Sequence, residues 1–306
     1  MATVFDKTVV SELNISQKVN EDIISVIIPV YNEERAIDRV VKRLQEILSS
    51  SNLTYEIILI DDGSTDNSAE VIGRIDGIKF IKHATNIGYG AALKTGIKSS
   101  KGNIIVITDG DGTYPNEKIP ELVKYFSEYD MVVGSRALNS KNIALSRKPM
   151  KWFLGKLANY LSGTKIPDLN SGLRAFKKDI ALQFFHMYPS GFSFTTTITL
   201  AMHCYGHNVK YIPIEYGKRE GKSKISPIKD TINFIQLIWR TVMYFNPMKI
   251  FLPIIFLTFL GFLGSLTFDI FMLDDLTDKT VILFLAFIQI MVVGLLADLI
   301  DKRNPF

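Results

Sequence analysis

With one cysteine, Cys204, in 306 residues, the chain has no internal disulfide. Cys204 sits in the apolar stretch Thr195 to Tyr205, so it is an expected core residue rather than a nucleophile. The four histidines show no metal-ligand spacing. A net charge of +4, without a clustered basic patch or a reader motif, gives no reason to expect nucleic acid as a partner. No Walker A sequence occurs, which argues against a phosphate-loop nucleotidase. Gly88-Tyr89-Gly90 is not a dinucleotide fingerprint, because Leu93 stands at the third glycine position and the segment does not follow the first strand. It reads instead as a helix start packed against the sheet. Residues 1–22 lack the apolar core of a signal sequence and read as a loose polar leader. The residues before the tail are therefore expected in the cytosol.

From Ile23 onward, apolar strands alternate with helical segments. Strands are predicted at Ile23 to Pro29, Glu56 to Ile60, Ile78 to Lys82, Asn103 to Thr108 and Met131 to Gly134. Helices are predicted at Glu33 to Leu48, after Asp66, at Gly90 to Ser99 and at Asn116 to Phe126. This alternation predicts an α/β fold with a parallel sheet covered on both faces.

The most informative run is Ile104 to Pro115, β-branched residues ending abruptly in Asp109 and Asp111. Ligands of open α/β sheets bind at the C-terminal strand edge. Two carboxylates there suit a hard divalent cation that also holds phosphate. The plainer reading is a turn and the N-cap of the next helix.

After Ser135 the pattern loosens into a basic loop, Ser140 to Met150, with Lys141, Arg147 and Lys148. Lys151 to Leu161 is amphipathic and reads either as a core helix or as one on a membrane surface. Residues 226–247, with Phe234, Trp239 and Tyr244, are expected to lie in the membrane interface. The tail, residues 248–306, holds two uncharged runs, Ile250 to Phe268 and Thr280 to Ala297, each near the ~20 residues that cross a bilayer. Lys249 before the first run and Lys302 and Arg303 after the second place both termini in the cytosol, with the acidic segment Asp269 to Lys279 outside. Two uncharged spans offer no polar path for a transporter.

Four further segments fall near strand ends: Pro29-Val30-Tyr31-Asn32-Glu33, Asp61-Asp62-Gly63-Ser64, Asp168-Leu169-Asn170-Ser171-Gly172-Leu173-Arg174, and Arg219-Glu220-Gly221-Lys222-Ser223-Lys224. Together with TDGDGTYP and VGSR, over roughly Ile23 to Tyr244, they resemble glycosyltransferase family 2. More closely, they resemble the polyprenyl-phosphate (dolichyl-phosphate) mannosyl- and glucosyltransferases. The resemblance implies a GT-A fold, Rossmann-like and mainly parallel, for residues 23–225. It implies inverting, metal-dependent transfer of a hexose from a GDP- or UDP-sugar to polyprenyl or dolichyl phosphate.

By motif, Pro29, Tyr31 and Glu33 would line the base and ribose pocket, with Asp61 and Asp62 at the second strand end. Asp109 and Asp111 would meet Mg²⁺ or Mn²⁺ and the sugar diphosphate. Related mannosyltransferases often carry glutamine two residues after the second aspartate. This chain has Thr113, which would reach the ion through its hydroxyl or through water. Arg136 and Arg147 are the candidate cations for the acceptor phosphate. Asp168 would act as base, as orienting group or as partner of Arg174. Arg219, Ser223 and Lys224 would close over the diphosphate. Other acceptors, such as a glycan or a glycolipid, and a silent nucleotide-binding module are the alternatives. The absence of a QxxRW-type signature argues against a processive synthase.

Overall fold

The computed structural model describes residues 23–136, 155–160, 162–191, 193–217 and 247–303. The expected leader, Arg147, Arg219, Ser223, Lys224 and residues 226–246 of the expected interfacial helix lie outside them. The chain divides into two units, Met1–Pro227 and Ile228–Phe306.

In the first unit the order is β1 (Ile24–Val30), α1 (Ile37–Ser49), β2 (Tyr55–Asp61), α2 (Ser68–Ile72), β3 (Lys79–Lys82), α3 (Tyr89–Ser99), β4 (Ile104–Ile107), α4 (Ile119–Val123) and β5 (Met131–Ser135). After a helical stretch at 155–160 come β6 (Arg174–Lys177), α5 (Lys178–Gln183), α6 (Phe194–Cys204) and β7 (Val209–Pro213). The sheet order is β3-β2-β1-β4-β6-β5-β7. Strands β1 and β4 are buried along their whole length, which is why they read as unbroken apolar runs. Lys79 and Lys82 expose the outer strand β3, as suits a sheet edge. Gly96 lets α3 press onto the sheet, since a Cβ there would lie 2.5 Å from Ile27 Cγ2 and 2.9 Å from Ile60 Cδ1. Gly88 and Gly90, at the start of that helix, instead meet the backbone of residues 189–191.

Strand β6 differs from the parallel expectation. It runs antiparallel to both β4 and β5, pairing Ile107 with Arg174 and Val133 with Arg174. This reversal carries the residues before β6 to the edge where β4 and β5 end. Continuing the β4 register by two residues sets Gly172 opposite Asp109.

Three further expectations are corrected. Helix α1 begins at Ile37 rather than Glu33: residues 34–36 form a turn, and the Glu33 and Glu34 amides, which a first helical turn leaves free, donate to Ser68 Oγ (2.8 Å) and Asp66 Oδ2 (3.3 Å). The segment from Asn116 opens as a 3₁₀ turn, Asn116–Lys118, and only then becomes α4, which has proline in its first turn. Cys204 is half-buried at the end of α6, not in the core. In the 155–160 stretch, Ala158 is buried and Tyr160 is exposed.

The second unit is a helical hairpin. Helix α7 (Met248–Phe268) runs on through a π-turn (Asp269–Leu273), and α8 (Asp278–Arg303) returns. The apolar spans cover 26 and 23 residues. At about 1.5 Å per residue, either is long enough for the ~30 Å hydrocarbon core of a bilayer. Phe259 meets Phe287 and Phe262 meets Phe284, each with ring centroids 5.2 Å apart. Asp269 belongs to the hairpin rather than to an open acidic loop. Its Oδ2 accepts from Thr277 N (2.8 Å), Thr277 Oγ1 (2.7 Å) and Thr280 Oγ1 (2.6 Å). Asp274, in the left-handed region at φ 50°, turns the chain.

Candidate active site

Strands β1 and β2 pair in register to Val30 and Asp61, so the loops that follow lie side by side. Asn32, at φ 55°, accepts the Thr65 amide (2.8 Å) and the Asp66 amide (3.3 Å) on its side-chain oxygen, and its own amide donates to Ser64 Oγ (3.0 Å). Pro29 is buried within β1. By strand parity its absent N–H points toward β4, beyond the last pair of that ladder, Ile27 with Ile107. Proline is tolerated there because β4 has already turned away. Tyr31 and Glu33 follow the strand end and are half-buried.

The neighbouring aspartates Asp61 and Asp62 do different things. Both oxygens of Asp62 are engaged: Oδ1 meets His83 Nδ1 (2.8 Å) and the Ile87 amide (3.1 Å), and Oδ2 accepts the Gly88 amide (2.8 Å). Asp62 therefore holds the start of α3. Asp61 is fully buried and its Oδ1 accepts the Ser64 amide (3.0 Å), while its Oδ2 is buried with no hydrogen-bond partner among the described residues. A buried carboxylate oxygen in that state costs free energy unless another donor reaches it.

Asp109 and Asp111 follow β4. Neither caps the next helical turn, whose N-cap position is Pro115 with no side-chain bond. Asp111 does close a turn: its Oδ1 accepts the Thr113 amide (3.1 Å) and the Thr113 hydroxyl (2.6 Å). The hydroxyl expected to reach a cation thus supports Asp111. The Tyr89 hydroxyl donates to Asp109 Oδ1 (3.1 Å). Burial first, then the Asp109 carboxylate, keep the Tyr89 phenol protonated well above its ordinary range. No group of three or more His, Cys, Asp or Glu with metal-holding geometry exists among the described residues. Two carboxylates with no nitrogen or sulfur donors form a hard oxygen set, which fits a cation that keeps most of its positions for water and phosphate.

Opposite lies a second charged pair. Arg136 Nε and Nη2 each donate to the Asp168 carboxylate at 3.0 Å, and the Arg136 amide adds a third bond at 3.0 Å. The Asp168 partner is therefore Arg136, not Arg174. Burial alone would raise Asp168, but the Arg136 hydrogen bonds and charge outweigh it and hold the carboxyl below its usual range. Arg174 is fully buried among oxygens: Ser171 O (3.0 Å), Thr195 O (2.8 Å) and Thr199 Oγ1 (2.8 Å). It ties the Asp168 loop to α6.

Three aromatic residues that sequence reasoning missed stand at these two pairs. They are Tyr89, Tyr114 and Tyr216. Tyr114 accepts the Gly172 amide (2.6 Å), and its ring meets Tyr216 edge-on at 5.1 Å. The Arg136 guanidinium lies 5.5 Å from the Tyr216 ring centre. Tyr89 and Tyr114 sat in the GYG and TYP segments, but an aromatic beside a turn carries no signal that separates a site from a core. The Gly217 amide donates to Thr113 O (2.9 Å), bringing the chain to the Asp111 turn two residues before Arg219.

This geometry can be set beside known proteins. Residues 25–185 match the Glycosyl transferase family 2 domain, and residues 246–302 match the GtrB C-terminal hairpin. An uncharacterized protein of Methanocaldococcus jannaschii is 30% identical over 226 residues, 69% of this chain and 90% of that one. An undecaprenyl-phosphate 4-deoxy-4-formamido-L-arabinose transferase of Pseudomonas fluorescens is 30% identical over 212 residues, 67% of this chain and 61% of the relative's length. Among solved structures, glucosyl-3-phosphoglycerate synthase from Mycobacterium tuberculosis, in complex with Mn²⁺, UDP and glucosyl-3-phosphoglycerate, aligns with a TM-score of 0.58. That alignment has 16% identity and covers 74% of this chain and 82% of that one. The likeness shows a common GT-A fold. With the domain match and the relatives' sequences, it makes this chain a member of glycosyltransferase family 2, a glycosyltransferase with an apolar C-terminal hairpin.

Proposed function

We propose that the chain transfers one hexose from a GDP- or UDP-sugar to a polyprenyl phosphate, with inversion, at the cytosolic face of a membrane. One observation carries the reading: the antiparallel register of β6 brings the Arg136–Asp168 pair to the sheet edge that holds Asp109 and Asp111. An acidic pair suited to a cation and diphosphate thus sits near a guanidinium suited to a second phosphate. The polyprenyl-phosphate relative and the hairpin match support a lipid acceptor.

Asp109 and Asp111 would hold Mg²⁺ or Mn²⁺, with Thr113 fixing Asp111; when bound, the cation neutralises the diphosphate leaving group. Asp61 Oδ2 offers an acceptor to an N–H of the base or a ribose hydroxyl, beside Tyr31 and Glu33, while Asp62 shapes the same end by anchoring Gly88. Arg136 receives the acceptor phosphate. Among the described residues its Nη1 has no hydrogen-bond partner.

In the transfer, an acceptor phosphate oxygen attacks the anomeric carbon as the bond to the diphosphate oxygen breaks. The product is a lipid-phosphate sugar and the nucleoside diphosphate leaves. A phosphate monoester has its second pKa at about 6, so the attacking oxygen is already ionised at neutral pH and needs no base. Asp168 is committed to Arg136 and orients it. Arg147, Arg219, Ser223 and Lys224 would add positive charge and a hydroxyl around the phosphates. The positive residues flanking the hairpin favour cytosolic termini.

The test uses the full-length chain in detergent with Mn²⁺, a short polyprenyl phosphate and a panel of labelled GDP- and UDP-hexoses. Label in a lipid monophosphate of inverted anomeric configuration is expected with one donor. Retained configuration would overturn the single displacement. Transfer only to a glycan or neutral glycolipid would overturn the acceptor assignment.

A further inference from the structure

The contacts around Tyr114 join the two halves of the site. Tyr114 lies three positions beyond Asp111 and is only 6% exposed. On one side its hydroxyl accepts the Gly172 amide at 2.6 Å. Gly172 is seated directly on Asp109: a Cβ there would lie 2.9 Å from Asp109 Oδ2 and 2.9 Å from Tyr114 Cε2, so nothing larger than hydrogen fits. On the other side the Tyr114 ring meets Tyr216 edge-on, with centroids 5.1 Å apart and planes at 72°. Tyr216 lies beneath the Arg136 guanidinium, which Asp168 grips with two side-chain bonds. One side chain therefore touches both the loop resting on Asp109 and the aromatic platform of the Arg136–Asp168 pair.

A one-step displacement requires its nucleophile and its leaving group in line on opposite sides of one carbon. A misplacement of about 1 Å costs on the order of 10²-fold in rate. We propose that Tyr114 is a positioning residue for the transfer: through the Gly172 amide and the Tyr216 ring it sets the separation between Asp109 and the Arg136–Asp168 pair. This rests on the reading that the diphosphate binds at Asp109 and the acceptor at Arg136. Removing the hydroxyl alone leaves the ring in place and a buried Gly172 N–H without its acceptor, so the Asp168 loop loses its fixed distance from Asp109.

The experiment is a double-mutant cycle on the full-length chain in detergent, pairing Tyr114→Phe with Arg136→Lys. Three quantities are read: kcat for transfer to a short polyprenyl phosphate, the acceptor KM, and the affinity for UDP or GDP with Mn²⁺ by calorimetry. Tyr114→Phe is expected to lower kcat about tenfold while nucleotide affinity stays within about twofold. In the Arg136→Lys background the same substitution is expected to cost less than about twofold, because the partner it positions has already been changed. A kcat within twofold of wild type overturns the proposal. So does a tenfold loss that persists in full beside Arg136→Lys, since the hydroxyl would then act independently of the Arg136 side of the site.

Tyr216→Leu provides a second arm at a side chain that is 42% exposed and outside the core. Its loss of kcat should be non-additive with that of Tyr114→Phe, and full additivity counts against the joint. If the wild-type chain transfers to no lipid phosphate, that failure belongs to the acceptor assignment. The same cycle is then read on transfer to whichever acceptor the chain does glycosylate, and there the same kcat criteria decide the role of Tyr114.

Discussion

The catalytic unit and the hairpin are both rich in aliphatic and aromatic residues, and they dispose of them in opposite ways. In the sheet, Ile27, Ile58, Val106 and Val132 have no exposure, and neighbouring strands satisfy their backbones. In the hairpin, Leu257 is 66% exposed, Phe271 81% and Ile282 64%, on helices whose backbone bonds are internal. The first arrangement is stable in water. The second leaves large apolar surfaces uncovered unless the surroundings are themselves apolar, which is how a helical hairpin sits in a bilayer. Polar groups divide the same way. The head sets the Arg136–Asp168 pair at the sheet edge where Asp109 and Asp111 follow β4, whereas in the hairpin Asp269 Oδ2 accepts from Thr277 and Thr280 at the turn. Under the proposed function this is a division of labour in which the head would react and the hairpin would locate.

That contrast breaks most sharply if a single change in the head stops the reaction without releasing the chain from the membrane. Asp111→Asn should lower transfer about 10²–10³-fold under saturating Mn²⁺. The fraction retained in membranes after an alkaline wash should not change. Asp168→Asn follows at about 10²-fold in kcat, with nucleotide affinity preserved, because it frees Arg136 without touching the diphosphate side.

A stability comparison addresses the packing difference itself. Ile58→Ala empties a fully buried position and should cost the head about 2–5 kcal/mol in denaturant unfolding. Leu257→Ala, on an exposed helix face, should leave that unfolding transition unmoved.

The smallest effect is on pH. Asp168 has a folded pKa below its unfolded value. The stability it contributes is complete above about pH 4 and is lost only as pH falls through the folded value. It therefore imposes no limb near neutrality. Transfer should instead decline below about pH 6, by about tenfold per unit at most, as the acceptor phosphate takes up a proton. A limb centred near pH 4 would assign the titration to a protein carboxylate instead.

The edge chemistry was legible because β4 is a buried run that stops at Asp109, and the alternation of strands and helices required a ligand edge there. The pairing of Asp168 was not legible. A four-residue strand such as Arg174–Lys177 carries the same burial pattern whether it runs parallel or antiparallel, yet only the antiparallel direction puts Asp168 beside Arg136. Local pattern also could not separate Asp61 from Asp62. Their difference lies in the loop at residues 83–88, whose His83, Ile87 and Gly88 bond the Asp62 carboxylate and not that of Asp61. Tyr114 and Tyr216 were hidden for a related reason, since aromatic residues beside turns look like packing until the partner of each face is known. In the tail, apolar length revealed the two helices, but Asp269 read as loop because its partners, eight and eleven residues on, meet it only after the chain has turned back.

The most direct measurement places the full-length chain in vesicles that contain polyprenyl phosphate and supplies labelled nucleotide hexose with Mn²⁺. Wild type, Asp111→Asn and Asp168→Asn are run side by side. The account predicts label in a lipid monophosphate, with one nucleoside diphosphate released per sugar, from the wild type, and strongly reduced label from both variants. Equal lipid labelling by Asp111→Asn, or donor consumption by the wild type with no label in lipid, would contradict it.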